Sequence, residues 1–184
     1  MNKHETLNMN HETQGNLLLS PHFRLSEFEA SRTAAEQGIA NVAPPEAVEN
    51  LRRLCEGCLE PLREALGRPI VITSGYRCQR LNEILVHAAR RSQHMVGSAA
   101  DFYVGSGHTE STDNTEKASR RELLIEAFRL IITSESIDFD QLILYPSFIH
   151  VSYVSLTANR HKLTKGFGNG KYCALSREQA LSLV

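Results

Sequence analysis

Between Pro44 and Leu66 the apolar positions Val48, Leu51, Cys55, Cys58 and Leu62 recur at alternating three- and four-residue steps, which places them on one face of a helix. The paired prolines at 44 and 45 suit its first turn, Gly67 suits its stop, and Pro61 is expected to kink its last turns. A second amphipathic pattern runs from about Ser119 to Thr133, with Leu123, Leu124, Ala127, Phe128, Ile131 and Ile132 inward. Shorter helices fit the segment after Phe23-Arg-Leu25, where Ser26 and Glu29 have capping-box spacing, then Gln79 to Ala89, and Ser176 to Leu183. Strands are expected where β-branched or alternating residues gather: Ile70 to Ser74, Ala99 to Val104, Gln141 to Tyr145, and Phe148 to Val154. The last two are close enough at Pro146-Ser147 to form a hairpin.

The remaining stretches read as loops. Gly105 to Lys117 is polar and of a length suited to a surface or lid, and Thr164 to Gly170 is polar and glycine-rich. Residues 1–18 have too few apolar groups to offset the entropy of ordering and are expected to form a disordered tail. These elements predict an α+β domain over 19–163, a small antiparallel sheet flanked by helices, followed by a loop and short helix over 164–184.

Composition narrows the function by exclusion. A chain of 184 residues, 41% hydrophobic, can bury one sizeable core. The formal net charge is −1 and no Lys/Arg cluster stands out, so nucleic acid is not an expected partner. No apolar run has the length of a membrane span, and the polar N-terminus lacks the apolar centre of a signal peptide, so the chain as read is expected in the cytoplasm.

Chemistry concentrates in Ser92-Gln-His94-Met-Val-Gly97-Ser-Ala99-Ala-Asp101 and in Phe148-Ile-His150-Val-Ser152. Two imidazoles and a carboxylate are the kind of ligand set that a catalytic zinc takes while keeping a position open. Strand parity tests the idea: Ala99, Asp101 and Tyr103 share one face, as do Phe148, His150, Ser152 and Val154. Neighbouring strands would bring Asp101 and His150 into one cleft, and Gly97 would let the chain swing His94 back toward them. The other histidines, His4, His11, His22, His87, His108 and His161, have no such setting and read as exposed or structural.

Cys55 and Cys58 have the spacing of half a zinc ribbon, but both fall on the apolar stripe of their helix, and Cys78 and Cys173 supply no second pair. They read as core residues.

The segment Ser92–Asp101 resembles the SxHxxGxAxD signature of the zinc D-alanyl-D-alanine carboxypeptidases and related peptidoglycan endopeptidases, which share a fold with the hedgehog signalling domain. The resemblance is nearest to the carboxypeptidase C-terminal-domain branch and covers about residues 23–162. It also takes in Phe23-Arg-Leu-Ser-Glu-Phe28, Thr73-Ser-Gly-Tyr-Arg77, and Phe139-Asp-Gln-Leu-Ile143 leading to His150. It implies one zinc per chain held by His94, Asp101 and His150. Arg77 then faces the scissile peptide or a substrate carboxylate, and Ser92 helps hold the substrate. A guanidinium suits that work because it makes forked, charge-assisted bonds.

One departure bears on catalysis. Many members of that family carry a general-base glutamate three residues before the last zinc histidine, and others a histidine two residues before it; here those positions are Ser147 and Phe148. Asp140, or a loop carboxylate such as Glu110, is the substitute the sequence offers, and Tyr145 can only donate a hydrogen bond or a proton. The expected function is zinc-dependent hydrolysis of a peptidoglycan peptide bond, as a D,D- or L,D-carboxypeptidase or endopeptidase acting on a muropeptide. The alternative is a zinc-stabilised, inactive module that binds peptidoglycan or protein. Peptidoglycan lies outside the cytoplasmic membrane, so the first reading needs a route to the cell wall or a soluble fragment as substrate.

Overall fold

The structure is a computed structural model that describes residues 17–86, 88–105 and 114–183. It has an α+β fold in which helices cover one face of a six-stranded sheet. Strands β1 (Leu18–Ser20) and β2 (Phe23–Arg24) form a small separate hairpin, followed by α1 (Leu25–Glu29) and α2 (Arg32–Glu36). The long helical pattern becomes α3 (Pro45–Leu54), a π-helical turn over Cys55–Leu59, and α4 (Glu60–Leu66). Then come β3 (Ile70–Ser74), α5 (Gln79–Ile84), a 3-10 turn (Gln93–Val96), β4 (Ala99–Val104) and α6 (Asn114–Thr133). The chain finishes with β5 (Gln141–Leu144), β6 (Ile149–Ser152), β7 (Lys162–Gly166), β8 (Tyr172–Leu175) and α7 (Arg177–Leu181).

The sheet order is β3-β4-β6-β5-β7-β8, with β5 and β7 parallel and every other neighbouring pair antiparallel. Side chains alternate between its faces. Ala100, Phe102 and Val104 of β4, Leu142 and Leu144 of β5, Ile149 and Val151 of β6, and Leu163 of β7 enter the core. There they join Leu51, Leu54, Leu59 and Leu62 of the long helical segment and Leu124, Ala127, Phe128 and Ile131 of α6. The opposite face carries Asp101, Ile143, His150 and Thr164, which line a cleft.

The structure departs from the expected elements at several points. The sheet is mixed and larger than a small antiparallel one, because Lys162–Gly166 and Tyr172–Leu175 are strands. The loop expected from Thr164 therefore begins only after Gly166, and the boundary drawn at 163 falls inside β7. The first helix is capped two residues earlier than Ser26: Arg24 is its N-cap, and its backbone N–H donates to Glu27 at 2.7 Å. Glu29 instead accepts from the Ala43 backbone N–H at 2.7 Å, tying α1 to the entry of α3. Helix α5 stops at Ile84, before Ala89, and α6 begins at Asn114, before Ser119.

Pro61 acts as expected, although the distortion takes the form of a π-helical turn just before it. Proline has no N–H for the Gly57 carbonyl, which accepts from the Asp138 backbone N–H at 3.1 Å instead. Of the tail expected over 1–18, residues 1–16 lie outside the described residues, as do His87, His108 and Glu110. Among the described residues no helix is long and apolar enough to cross a membrane.

Candidate metal centre

Asp101 and His150 are direct partners in the antiparallel β4–β6 ladder, so both side chains stand on the cleft face at one level of the sheet. His94 reaches them from the 3-10 turn that precedes β4. Ser92 caps this turn, its hydroxyl accepting from the His94 backbone N–H at 3.3 Å. Gly97 ends it with φ 72°, and a Cβ there would lie 2.3 Å from the Ala47 carbonyl oxygen. Only glycine fits, because the conformation is left-handed and α3 presses on the turn. Asn50 adds a side-chain bond to the Val96 carbonyl at 2.9 Å, which fixes the turn against the same helix.

Three ligand-type atoms converge. His94 Nε2, Asp101 Oδ1 and His150 Nδ1 all lie within 4.8 Å of one another. His150 Nδ1 is 2.8 Å from Asp101 Oδ1, and His94 Nε2 is 3.3 Å from that oxygen and 3.2 Å from His150 Nδ1. The tautomer of His94 follows from its other nitrogen. Nδ1 donates to the Gly75 carbonyl at 2.7 Å, which leaves Nε2 with a lone pair in the neutral ring. Burial lowers the His94 pKa and favours that neutral ring. Burial alone would raise the Asp101 carboxyl, but the adjacent His94 and His150 imidazoles outweigh it and hold the group well below the usual carboxylate range. A lone pair of His94 thus faces a carboxylate oxygen, and His150 Nδ1 brings at most one proton. A cation between them relieves this, and two imidazoles with one carboxylate suit zinc.

Outer contacts aim these ligands. Arg77 Nη2 donates to Asp101 Oδ2 at 2.7 Å and Arg77 Nε to Ser74 Oγ at 2.9 Å, so one carboxylate oxygen is held and the other points at the imidazoles. Arg77 is itself fixed by its backbone neighbours. Asn41 donates to the Tyr76 carbonyl and accepts from the Cys78 N–H, at 2.9 and 2.8 Å, and the Arg77 N–H donates to the His94 carbonyl at 3.1 Å. Gly75 is needed for close approach, since a Cβ there would lie 2.5 Å from Phe28 Cα.

Asp140 lines the same cleft, but its environment does not suit the base expected of it. Oδ1 accepts from Arg160 Nε at 2.8 Å and from the Arg160 backbone N–H at 3.0 Å, while Oδ2 accepts from Arg160 Nη2 and from Gln93 Nε2 at 2.9 Å. Burial opposes ionisation, yet Arg160 and Gln93 prevail and bring its pKa down to about 2. A carboxylate so low and so fully bonded anchors the Gln93 turn and the 154–161 connection to the start of β5.

Sequence reasoning missed the Gly75 carbonyl, Asn41, Ser74 and the Gln93–Asp140–Arg160 bridge. Asn41 had a signal, as the one polar residue in Ile39-Ala-Asn-Val-Ala43. It also missed an aromatic wall, in which Tyr145 stacks on Phe148 with ring centres 4.3 Å apart and its hydroxyl bonds to Tyr172 at 3.1 Å. His22 and His161 are structural, pairing with Glu60 and Asp138. Cys55 and Cys58 are buried, and burial raises both thiols far above their usual range.

This arrangement is an α+β domain with a His/Asp/His cluster, able to hold a metal ion, at the floor of a cleft, and it resembles the triad of a zinc metallopeptidase. Residues 21–132, more than half of the chain, match the Peptidase M15 family, and the chain belongs to it. The matched span contains His94 and Asp101 but ends before His150, which the β4–β6 pairing brings to the same point. No curated protein and no solved structure matches the chain.

Proposed function

We propose that the protein hydrolyses a peptide bond in peptidoglycan, as a zinc-dependent D,D- or L,D-carboxypeptidase or endopeptidase with one zinc per chain. The observation that carries this reading is the convergence of His94 Nε2, Asp101 Oδ1 and His150 Nδ1 in a cleft of about 1030 Å³. Membership of the Peptidase M15 family supports it. The helix-covered sheet, with two ligands on adjacent central strands, is consistent with the hedgehog/DD-peptidase topology.

His94, Asp101 and His150 are the residues that would hold the ion, and zinc in such a setting supplies Lewis acidity that polarises a carbonyl and activates water. The chain's own residues do the rest. Asp101 is fixed in direction because Arg77 holds its second oxygen. Arg77 Nη1 has no partner among the described residues, so it is the donor we assign to the substrate carbonyl or carboxylate. Ser92 borders the cleft beside His94 and would contact the substrate while capping the turn. The Tyr145 hydroxyl, whose pKa is raised by burial, donates to the Tyr172 hydroxyl at 3.1 Å; turned into the cleft, it would donate toward a departing amine instead.

A second reading has its own support. The carboxylates that line the cleft, among the described residues, are Asp101 and Asp140, and neither suits a general base. Phe148 stacks on Tyr145 where some relatives carry a histidine. A metal-bearing binding module fits those facts. The two readings separate when the zinc-loaded protein is incubated with muropeptides ending in D-alanyl-D-alanine and products are followed by mass spectrometry. Release of an amino acid or peptide that a chelator stops supports the hydrolase. Tight binding without any product over pH 5 to 9 supports the module.

A further inference from the structure

The cleft differs in chemistry at its two ends. Along the cleft face of β5 stand Gln141, Ile143 and Tyr145, and Ile143 is the direct partner of His150. Beyond Ile143 lies the aromatic wall of Tyr145, Phe148 and Tyr172. In the other direction Gln141 pairs with Lys162 of β7.

The charges lining the cleft are unequal. Arg77, Arg91, Arg160 and Lys162 face only Asp101 and Asp140, in a chain whose formal net charge is −1. Arg77 pairs with Asp101 and Arg160 with Asp140. Arg91 and Lys162 are left over: both are exposed, and neither side chain has a partner among the described residues. The imbalance gathers at one end, because Arg91 is two residues before Gln93, which bonds to Asp140, and Asp140 binds Arg160, two residues before Lys162. A concave site with surplus positive charge concentrates anions.

Lys162 is two strand spacings and two residues from His150, which places their Cα atoms roughly 12 Å apart. Three to four extended residues cover that span. Between the two, Thr164 shares the level of His150 and Ile143, and its buried hydroxyl has no hydrogen-bond partner. Lys162 also lies beyond the residues that match the family, so membership assigns it no role.

From this we infer that Arg91 and Lys162 form a subsite for a free carboxylate on the substrate peptide, about three residues from the bond positioned at the His/Asp/His cluster. The subsite rests on the peptidase reading of the same cleft. It makes a peptide with an anionic group at that distance the preferred ligand over one in which the group is amidated.

The test uses the whole chain loaded with zinc and two synthetic peptides, N-acetyl-γ-D-glutamyl-L-lysyl-D-alanyl-D-alanine with the glutamyl α-carboxyl either free or amidated. Affinity is read by calorimetry and D-alanine release by mass spectrometry, for the wild type and for the Arg91→Gln/Lys162→Gln double variant. Both positions are exposed, so the variant should fold. The free acid should bind the wild type on the order of tenfold more tightly, the scale of two solvent-exposed charge pairs. That preference should fall to about twofold or less in the double variant, and should shrink as salt is raised. Equal affinity of the wild type for both peptides, or a preference that survives in the double variant, overturns the subsite and leaves the peptidase reading to be judged by D-alanine release. Failure to bind or cleave either peptide overturns the subsite together with the D,D-carboxypeptidase form of the peptidase reading.

Discussion

Arg77 and Asp101 form a forked junction between loop and sheet: Arg77 Nη2 lies 2.7 Å from Asp101 Oδ2, while Oδ1 of the same carboxylate faces His94 and His150. The guanidinium therefore sets the direction of a metal ligand, and its influence reaches beyond any contact with substrate.

Arg77→Ala should weaken zinc affinity about 10- to 100-fold, the usual cost of removing an outer partner of a ligand. It should also lower stability, because a buried carboxylate loses its counter-charge. Competition against a chromogenic chelator gives the affinity. Arg77→Lys should recover part of it, since an ammonium keeps the charge but cannot make the fork to Ser74 and Asp101. Unchanged affinity in Arg77→Ala would show that Asp101 is oriented by something else.

Gly97→Ala should be among the most damaging single-methyl changes in the chain. The residue has φ 72°, and a Cβ would meet the Ala47 carbonyl at 2.3 Å, so either the turn or α3 must move. We expect a loss of more than ~1 kcal/mol in urea denaturation, with weaker zinc binding because His94 moves with the turn. A variant as stable as the wild type would mean that α3 yields easily.

Asp140 should act as an acid-sensitive anchor. Its folded pKa of about 2 lies below the ordinary value of 3.8, so the pair with Arg160 contributes stability that is complete above about pH 4 and lost as pH falls toward 2. The size is on the order of 1 kcal/mol, because Arg160 is largely exposed and solvent screens the pair. Urea unfolding at a series of pH values should show this loss in the wild type and a flatter profile in Asp140→Asn. The variant should still bind zinc, since Asp140 is not part of the ligand cluster.

The helices and most strands were legible because they are local: a 3.6-residue apolar period makes α3, α4 and α6, and period-two alternation makes β5 and β6. The ligand set was legible because parity puts Asp101 and His150 on cleft faces, although parity cannot say which strands are neighbours. Strand β7 was not legible. Lys162-Leu-Thr-Lys-Gly166 offers one large apolar residue to the core, and it lies between β8 and a parallel partner about twenty residues earlier in the chain. The bonds that occupy Asp140 were not legible for a related reason, since its partner Arg160 arrives through that same non-local pairing.

Cys55 and Cys58 should be silent in metal chemistry. With the native protein, a disulfide-exchange reagent should modify exposed Cys173 rapidly and the buried pair only after denaturation, because a thiol held neutral is a poor nucleophile. The double substitution to alanine should keep zinc while losing roughly 1 kcal/mol per site. Loss of zinc with the fold intact would move the metal to the helix.

The central claim is that one zinc sits between β4, β6 and the turn at residues 93–96, and elemental analysis of the purified chain tests it most directly. About one zinc per chain is expected in the wild type. His94→Ala, Asp101→Ala and His150→Ala should each reduce that sharply, with circular dichroism verifying the fold. Full zinc content in all three folded variants would contradict the site.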